Sequence, residues 1–175
     1  GSLSRHLASE GYGIKIITGD RDLLQLVDDR ILVNLPGKTL AEAKDYFSRD
    51  VVEYFGVTPE QVVDYKALVG AKSDNIPGVA GIGEKTAASL LNTYSTLDGI
   101  YSHLDEISES LRKKLEANRE NAYLSQKLAT IVTDLNIKID LDMARTDHFE
   151  PARVEALFRE LEFRTLIPRL KALGG

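Results

Sequence analysis

Two aspartates spaced two positions apart, Asp20 and Asp22, are residues whose type and position could support chemistry. They directly follow a β-branched run, Ile14–Ile17, and open α/β sheets place their ligands at the carboxyl ends of strands. Carboxylates there could bind a hard divalent cation, with Mg²⁺ or Mn²⁺ preferred. Asp74 is a third candidate ligand. The alternative is structural, with Asp20 as the N-cap of a helix and Asp22 in its first turn.

A glycine-rich stretch that runs from Gly78 to Gly83 follows Asp74 closely. A nucleotide-binding P-loop requires lysine directly after the last glycine, but Glu84 stands there. A dinucleotide-binding loop requires a preceding strand and a third glycine, but Thr86 occupies that position. The stretch therefore fits neither kind of nucleotide-binding loop.

A helix-hairpin-helix over about residues 59–94 fits the glycine pattern better. Glycines leave no Cβ over the turn, so backbone N–H groups can approach a phosphate closely. Such contacts bind a duplex by its backbone without reading its sequence. The candidate DNA-binding residues are Lys72, Gly78, Gly81, Gly83, Lys85 and Thr86. The alternative is a helical hairpin whose glycines serve packing alone.

The composition excludes several other kinds of site. The chain has 175 residues and no cysteine, which excludes disulfides and thiolate metal ligands. The histidines, His6, His103 and His148, are scattered and are more simply surface residues than ligands. The net charge of -5 argues mildly against a nucleic-acid partner, although a local basic patch is compatible with it. Since there is no apolar run of about 18 residues and no secretory signal, we expect no membrane partner and a cytoplasmic location.

The elements that position these residues change in character along the chain. Residues 1–57 alternate between helix and strand, which predicts the C-terminal portion of an α/β core with strands at Ile14–Ile17 and Ile31–Leu35. Residues 58–175 predict a mainly helical region with one more strand, at Asn136–Asp140. Helices are predicted at residues 2–11, from 22, and at 49–55, 59–69, 84–94, 97–103, 107–117, 120–132, 151–163 and 165–173. Two short strands cannot form a stable parallel sheet, so we expect an incomplete sheet whose first strands lie upstream.

Two segments together, "ITGDRDLLQLV" and "DYKALVGAKSDNIPGVAGIGEKTA", resemble the 5′-nuclease (flap endonuclease) family. The resemblance covers about residues 3–173 and is closest to the 5′→3′ exonuclease domains of bacterial DNA polymerases I. It implies a two-metal hydrolase that cleaves 5′ ends or flaps of duplex DNA in replication and repair. It also implies that Asp20, Asp22 and Asp74 bind the second metal ion, and that a helix-three-turn-helix grips the duplex and can bind K⁺. An upstream nuclease segment and a C-terminal polymerase domain are the partners it suggests.

The sequence departs from the family pattern at two places. The family's other metal-binding carboxylates, expected just before Leu3, are absent from the sequence. We therefore expect this chain alone not to cleave DNA, and a non-catalytic, structure-specific duplex-binding module is the alternative function. Ala71 stands where polymerase-associated members usually have aspartate, so we expect a weakened second metal site.

Overall fold

The computed structural model describes residues 1–37, 42–147 and 149–173, without the side chain of Lys72. His148 thus lies outside the described residues. The chain divides into two compact units, Gly1–Asn136 and Ile137–Gly175. The boundary predicted after residue 57 lies within the first unit and stays a prediction. None of the helices in the described part of the chain combines the length and the apolar composition that a membrane span needs.

A small mixed sheet forms the first part of the first unit. β1 and β2 are parallel, and β3 runs antiparallel to β2. Alternate side chains of β2 are buried, as expected for a strand that is covered on one face. The parallel pairing brings the loop after β1 to the same edge of the sheet as the end of β2. The elements are α1 (Ser2–Ser9), β1 (Ile14–Ile17), β2 (Ile31–Leu35), β3 (Lys44–Tyr46) and α2 (Ser48–Phe55).

The sequence predicts two of the three strands described. β3 was not predicted because Lys44-Asp45-Tyr46 contains one residue that favours strands. Side chains from the other two strands hold it: the Lys15 Nζ and Asn34 Nδ2 atoms donate to the Asp45 carboxylate at 2.9 and 2.6 Å. The hydrogen bond from Lys15, and then that from Asn34, lower the pKa of Asp45. The helix predicted from Asp22 is a 3₁₀ helix, Arg21–Leu26.

The rest of the first unit is helical, as predicted. A 3₁₀ turn at Pro59–Gln61 leads into α3, and the Thr58 N–H donates to Gln61 Oε1 at 3.1 Å in the cap of that turn. One apolar cluster joins these helices, with Leu68, Leu91 and Leu115 fully buried at its centre. The helices are α3 (Val62–Val69), α4 (Glu84–Tyr94), α5 (Leu97–Ser102), α6 (Glu109–Ala117) and α7 (Arg119–Ala129).

The second unit contains α8 (Pro151–Glu160) and α9 (Leu166–Leu173), which confirms both predicted helices. Glu155 of α8 forms an ion pair with Arg159 of the same helix at 2.6 Å and another with Lys171 of α9 at 3.9 Å, and the second pair joins the two helices. The strand predicted at Asn136–Asp140 is wrong. Its apolar and polar residues alternate, but the segment pairs with no strand among the described residues and its isoleucines are exposed. Alternation alone does not supply the backbone partners that a strand needs.

Candidate metal and nucleic-acid sites

The three candidate carboxylates line one depression in the surface of the first unit. Its volume is about 380 Å³. Asp20 reaches it from the loop after β1 and Asp22 from the 3₁₀ helix that follows, and Asp74 reaches it from a 3₁₀ turn, Lys72–Asp74, that follows α3. Gly19, Arg21, Lys66 and Ser73 complete the lining. The fold therefore brings together residues that are more than fifty positions apart in the sequence, at the edge of the sheet where the strand pattern places the ligands.

Asp22 forms an ion pair inside this depression. Its Oδ1 atom lies 2.5 Å from the Nζ atom of Lys66, which extends from α3. The side chains are 20% and 16% exposed, so solvent screens this pair less than it screens a surface pair. Lys66 was not among the residues predicted for this site. The available signal was a single lysine in the largely apolar helix segment Val62–Val69.

Asp20 caps the 3₁₀ helix that carries Asp22. The Asp22 N–H donates to Asp20 Oδ1 at 2.9 Å, and the Asp20 N–H donates to Thr18 Oγ1 at 3.0 Å. The structural alternative is therefore present in the fold. It does not exclude metal binding, because a carboxylate has further lone pairs beyond the one used in the cap. The Asp74 carboxylate accepts a hydrogen bond from Ser73 Oγ at 3.0 Å.

The depression offers donors of the right kind for a divalent cation, but too few of them. Carboxylate oxygens are the ligands that Mg²⁺ and Mn²⁺ prefer. Among the described residues, however, no three acidic or histidine side chains are spaced to hold one ion. Lys66 already compensates the charge of Asp22. Ala71, which pairs with Ile76 through its backbone, adds no side-chain oxygen. The carboxylate oxygens are therefore suitable ligands for such an ion, but a complete site needs further ligands.

The hairpin between α3 and α4 uses its glycines in two different ways. Gly78 is buried at φ +64°, and a Cβ there would lie 2.5 Å from the Gly70 N atom. Its N–H donates to the buried Ser125 Oγ at 2.9 Å. Val79 continues this anchoring, since its N–H donates to the Leu68 carbonyl at 2.8 Å. Gly78 therefore packs the base of the hairpin, and its contact with DNA stays a prediction.

The other two candidate glycines lie at the exposed end of the hairpin. Gly81 has φ +80°, a conformation that glycine adopts without strain. Gly83 has φ -100° and is the N-cap of α4, and no heavy atom lies within 4 Å of the position that its Cβ would take. This end of the hairpin is open to a large ligand.

The first turn of α4 presents backbone donors next to these glycines. The N–H groups at a helix start have no partner within the helix, and α4 has no side-chain cap. Lys85 is exposed and Thr86 is half-buried in this turn. The predicted DNA-binding residues Gly81, Gly83, Lys85 and Thr86 therefore lie along one short stretch of surface. The side chain of Lys72 lies outside the described part of the chain.

A family model covers the region that contains the hairpin. Residues 57–152 match the model described as "5′-3′ exonuclease, C-terminal SAM fold". The chain is 46% identical over 172 residues to DNA polymerase I of Caldicellulosiruptor bescii, a match that covers 97% of this chain and 20% of that protein. It is 39% identical over 171 residues to DNA polymerase I of Bacillus subtilis, a match that covers 97% of this chain and 19% of that protein. The chain thus spans about a fifth of the length of these curated relatives.

Solved structures share the fold. The phage T5 5′-exonuclease with bound zinc matches with a TM-score of 0.61 and 24% identity, over 73% of this chain and 46% of that one. A phage T5 flap endonuclease in complex with DNA and metal ions matches with a TM-score of 0.63 and 24% identity, over the same shares of the two chains. These matches confirm the predicted fold class, an α/β portion followed by a mainly helical region.

Proposed function

The chain belongs to the 5′-3′ exonuclease family, and from this premise we propose that it is part of a 5′→3′ exonuclease or flap endonuclease acting in DNA replication and repair. One observation carries the proposal: the connection between α3 and α4 holds both Asp74, which lines the carboxylate depression, and the exposed turn of the hairpin. Asp74, a proposed metal ligand, and the turn proposed to bind a duplex backbone are thus parts of one connection.

Duplex or flap DNA is the partner that the hairpin suits. Its exposed end offers amide donors and the ammonium group of Lys85, and phosphates accept hydrogen bonds from both. The T5 flap endonuclease with bound DNA, which shares the fold, supports this partner. The greater length of the polymerase relatives supports the other predicted partners, an upstream nuclease segment and a C-terminal polymerase domain. The cytoplasmic location stays a prediction.

We further propose that Asp20, Asp22 and Asp74 are ligands of a divalent cation, Mg²⁺ or Mn²⁺. The T5 structures with metal ions support a metal-dependent relative of this fold. When bound, such ions stabilise the charge that develops on a phosphodiester and lower the pKa of a bound water. Because the described residues supply an incomplete ligand set, the remaining carboxylates would come from the upstream segment. Binding of K⁺ at the hairpin stays a prediction. The carbonyl oxygen of Gly81, one atom that could bind K⁺, already accepts a hydrogen bond from Lys114.

A non-catalytic duplex-binding module is the second candidate function. The Lys66–Asp22 ion pair and the alanine at position 71 favour it, since both reduce the capacity of the depression to bind a cation. Under this alternative the hairpin has the same role, and the carboxylates serve as a helix cap and ion-pair partner.

Binding and cleavage of a 5′-flap DNA, measured on the same preparation of the purified chain, test the proposal. We expect salt-sensitive binding and no cleavage with either Mg²⁺ or Mn²⁺. Adding the upstream segment should produce cleavage that depends on Asp22. Failure of the chain to bind the duplex at low salt would contradict the proposed function. Binding with no cleavage in the longer protein would instead identify the duplex-binding module.

A further inference from the structure

A basic tract in α6, Arg112 to Lys114, contains two neighbouring lysines with different surroundings. The Lys113 Nζ atom lies 2.6 Å from Glu109 Oε1 one turn earlier, and both side chains are about two-thirds exposed. This is an ordinary solvated pair on a helix surface. Lys114 is half-buried and extends to the hairpin, where its Nζ atom donates to the Gly81 carbonyl at 3.1 Å. The two lysines are adjacent in the sequence, but the side chain of Lys113 contacts its own helix and that of Lys114 contacts the hairpin.

Lys114 lies across the hairpin turn where Gly81 has no side chain. Its Cδ, Cε and Nζ atoms are 3.2 to 3.4 Å from the position that a Gly81 Cβ would take. The methylene chain of the lysine thus packs against bare backbone, and its charged end is held at the turn. Gly81 serves two purposes, since it allows φ +80° and it leaves room for this side chain.

The geometry points to Lys114 as a phosphate-binding residue of the hairpin, which adds a contact from α6 to those made by α4. This inference rests on the proposed function of the hairpin. An ammonium group has three donors, and the Gly81 carbonyl uses one of them. Within the described residues, the bond to Gly81 is the contact that the structure gives this ammonium group, whereas Lys113 has a carboxylate partner. Two donors and a full positive charge therefore remain for an anion.

Contacts with the rest of the first unit hold the hairpin in place. The exposed amides therefore keep a fixed position relative to Lys114. Ser125 from α7 holds Gly78, and Ile82 is buried in the apolar cluster. Lys85 lies in the first turn of α4, two residues after Gly83. The Lys114 ammonium group at Gly81 and the exposed Lys85 in the first turn of α4 therefore add positive charge to one short stretch of the chain, which suits the closely spaced charges of a nucleic-acid strand.

The matched variants Lys114→Met and Lys113→Met test this inference. Both remove one charge from the same tract and keep an unbranched side chain. We would measure Kd for a labelled duplex between about 50 and 200 mM salt, with the complete 175-residue chain. Loss of one phosphate contact reduces the slope of log K against log[salt] by about 0.9 and weakens binding equally for unrelated sequences. We expect this for Lys114→Met, little change for Lys113→Met, and parent-like binding for Lys114→Arg.

The salt slope separates a phosphate contact from a purely structural brace. A brace would change affinity through the shape of the turn and leave the slope as it is in the parent. Equal slopes for Lys114→Met and the parent, with an unchanged melting temperature, would overturn the inference. If Lys114→Met lowers the melting temperature, Lys114→Gln provides the same charge loss with a side chain that keeps a polar N–H group. If the parent itself does not bind, it is the proposed function that fails.

Discussion

Gly83 offers the sharpest separation between a hairpin that binds DNA and a hairpin that only packs. We predict that Gly83→Val weakens duplex binding strongly while leaving the fold intact. Gly83 has φ -100° and ψ 176°, an extended conformation that valine readily adopts. No heavy atom lies within 4 Å of the new Cβ position. The substitution therefore meets neither backbone strain nor a steric clash within the protein.

The cost of this substitution to folding is limited to the N-cap of α4. Glycine is preferred over valine at N-caps, and the difference is about 1 kcal/mol. For a chain of this size, that loss lowers the melting temperature by about 2–4 °C. Gly83→Ser provides a companion variant, because serine is as good an N-cap as glycine or better and still adds a Cβ.

The cost to binding should be much larger. A hydrogen bond from a backbone amide to a charged phosphate contributes about 1.5–3 kcal/mol. If the new side chain displaces the strand from one such amide, Kd rises by roughly 10- to 150-fold. The increase should be equal for two duplexes of unrelated sequence, since backbone contacts do not read bases.

Fluorescence anisotropy with both duplexes gives the affinities, and circular dichroism with thermal melting checks the fold. Gly13→Val is a matched control, because Gly13 is also exposed with open space around its Cβ position and lies before β1 rather than in the hairpin. We expect parent-like binding for this control. If folded Gly83→Val binds both duplexes as tightly as the parent, the reasoning about the hairpin is refuted.

Three further predictions concern the residues that hold the fold and the depression. Gly78→Ala should destabilise the chain by about 3 kcal/mol or more, measured by urea denaturation, because its Cβ would meet the Gly70 backbone at φ +64°; a loss below about 1 kcal/mol would contradict this. Lys66→Met should lower the free energy of unfolding by about 1–3 kcal/mol in the same assay, because it leaves the partly buried Asp22 charge unpaired. Adding Asp22→Asn should recover part of that loss. Additive losses in the double variant would refute the coupling of the two residues. Burial raises the pKa of Tyr101 from 10.0 to about 12, so between these pH values the folded state keeps a proton that the unfolded chain loses. The free energy of unfolding should therefore fall as pH rises from about 10 to 12. A decline in Tyr101→Phe as steep as in the parent would rule out this cause.

The sequence predicted correctly those helices and strands whose formation depends on residues close together in the chain. The helices predicted at 59–69 and 84–94 are present, the first as the 3₁₀ turn Pro59–Gln61 followed by α3 and the second as α4. The position of Asp20 and Asp22 after β1 also follows from local order, because they come directly after a predicted strand. These signals are carried by residues within one turn of each other.

Features that depend on distant partners were missed or predicted wrongly. β3 pairs with β2, and Lys15 and Asn34 donate to Asp45, which nothing in Lys44–Tyr46 reveals. The Asn136–Asp140 segment has the alternation of a strand but no partner among the described strands. The Lys66–Asp22 pair and the contact of Lys114 with Gly81 each join two separate elements. Sequence alone shows these side chains but not what faces them.

The central claim is that the depression and the hairpin serve one phosphodiesterase, and cleavage in the longer protein tests it most directly. The measurement is the single-turnover rate on a 5′-flap DNA when this chain follows its upstream nuclease segment, for the parent and for Asp74→Asn, with duplex Kd measured on both. We predict that Asp74→Asn lowers the rate by roughly 100-fold or more, at or beyond the scale on which loss of a group supporting a metal site acts, and leaves Kd within about twofold, since the hairpin is unchanged. A rate for Asp74→Asn equal to that of the parent would contradict the claim.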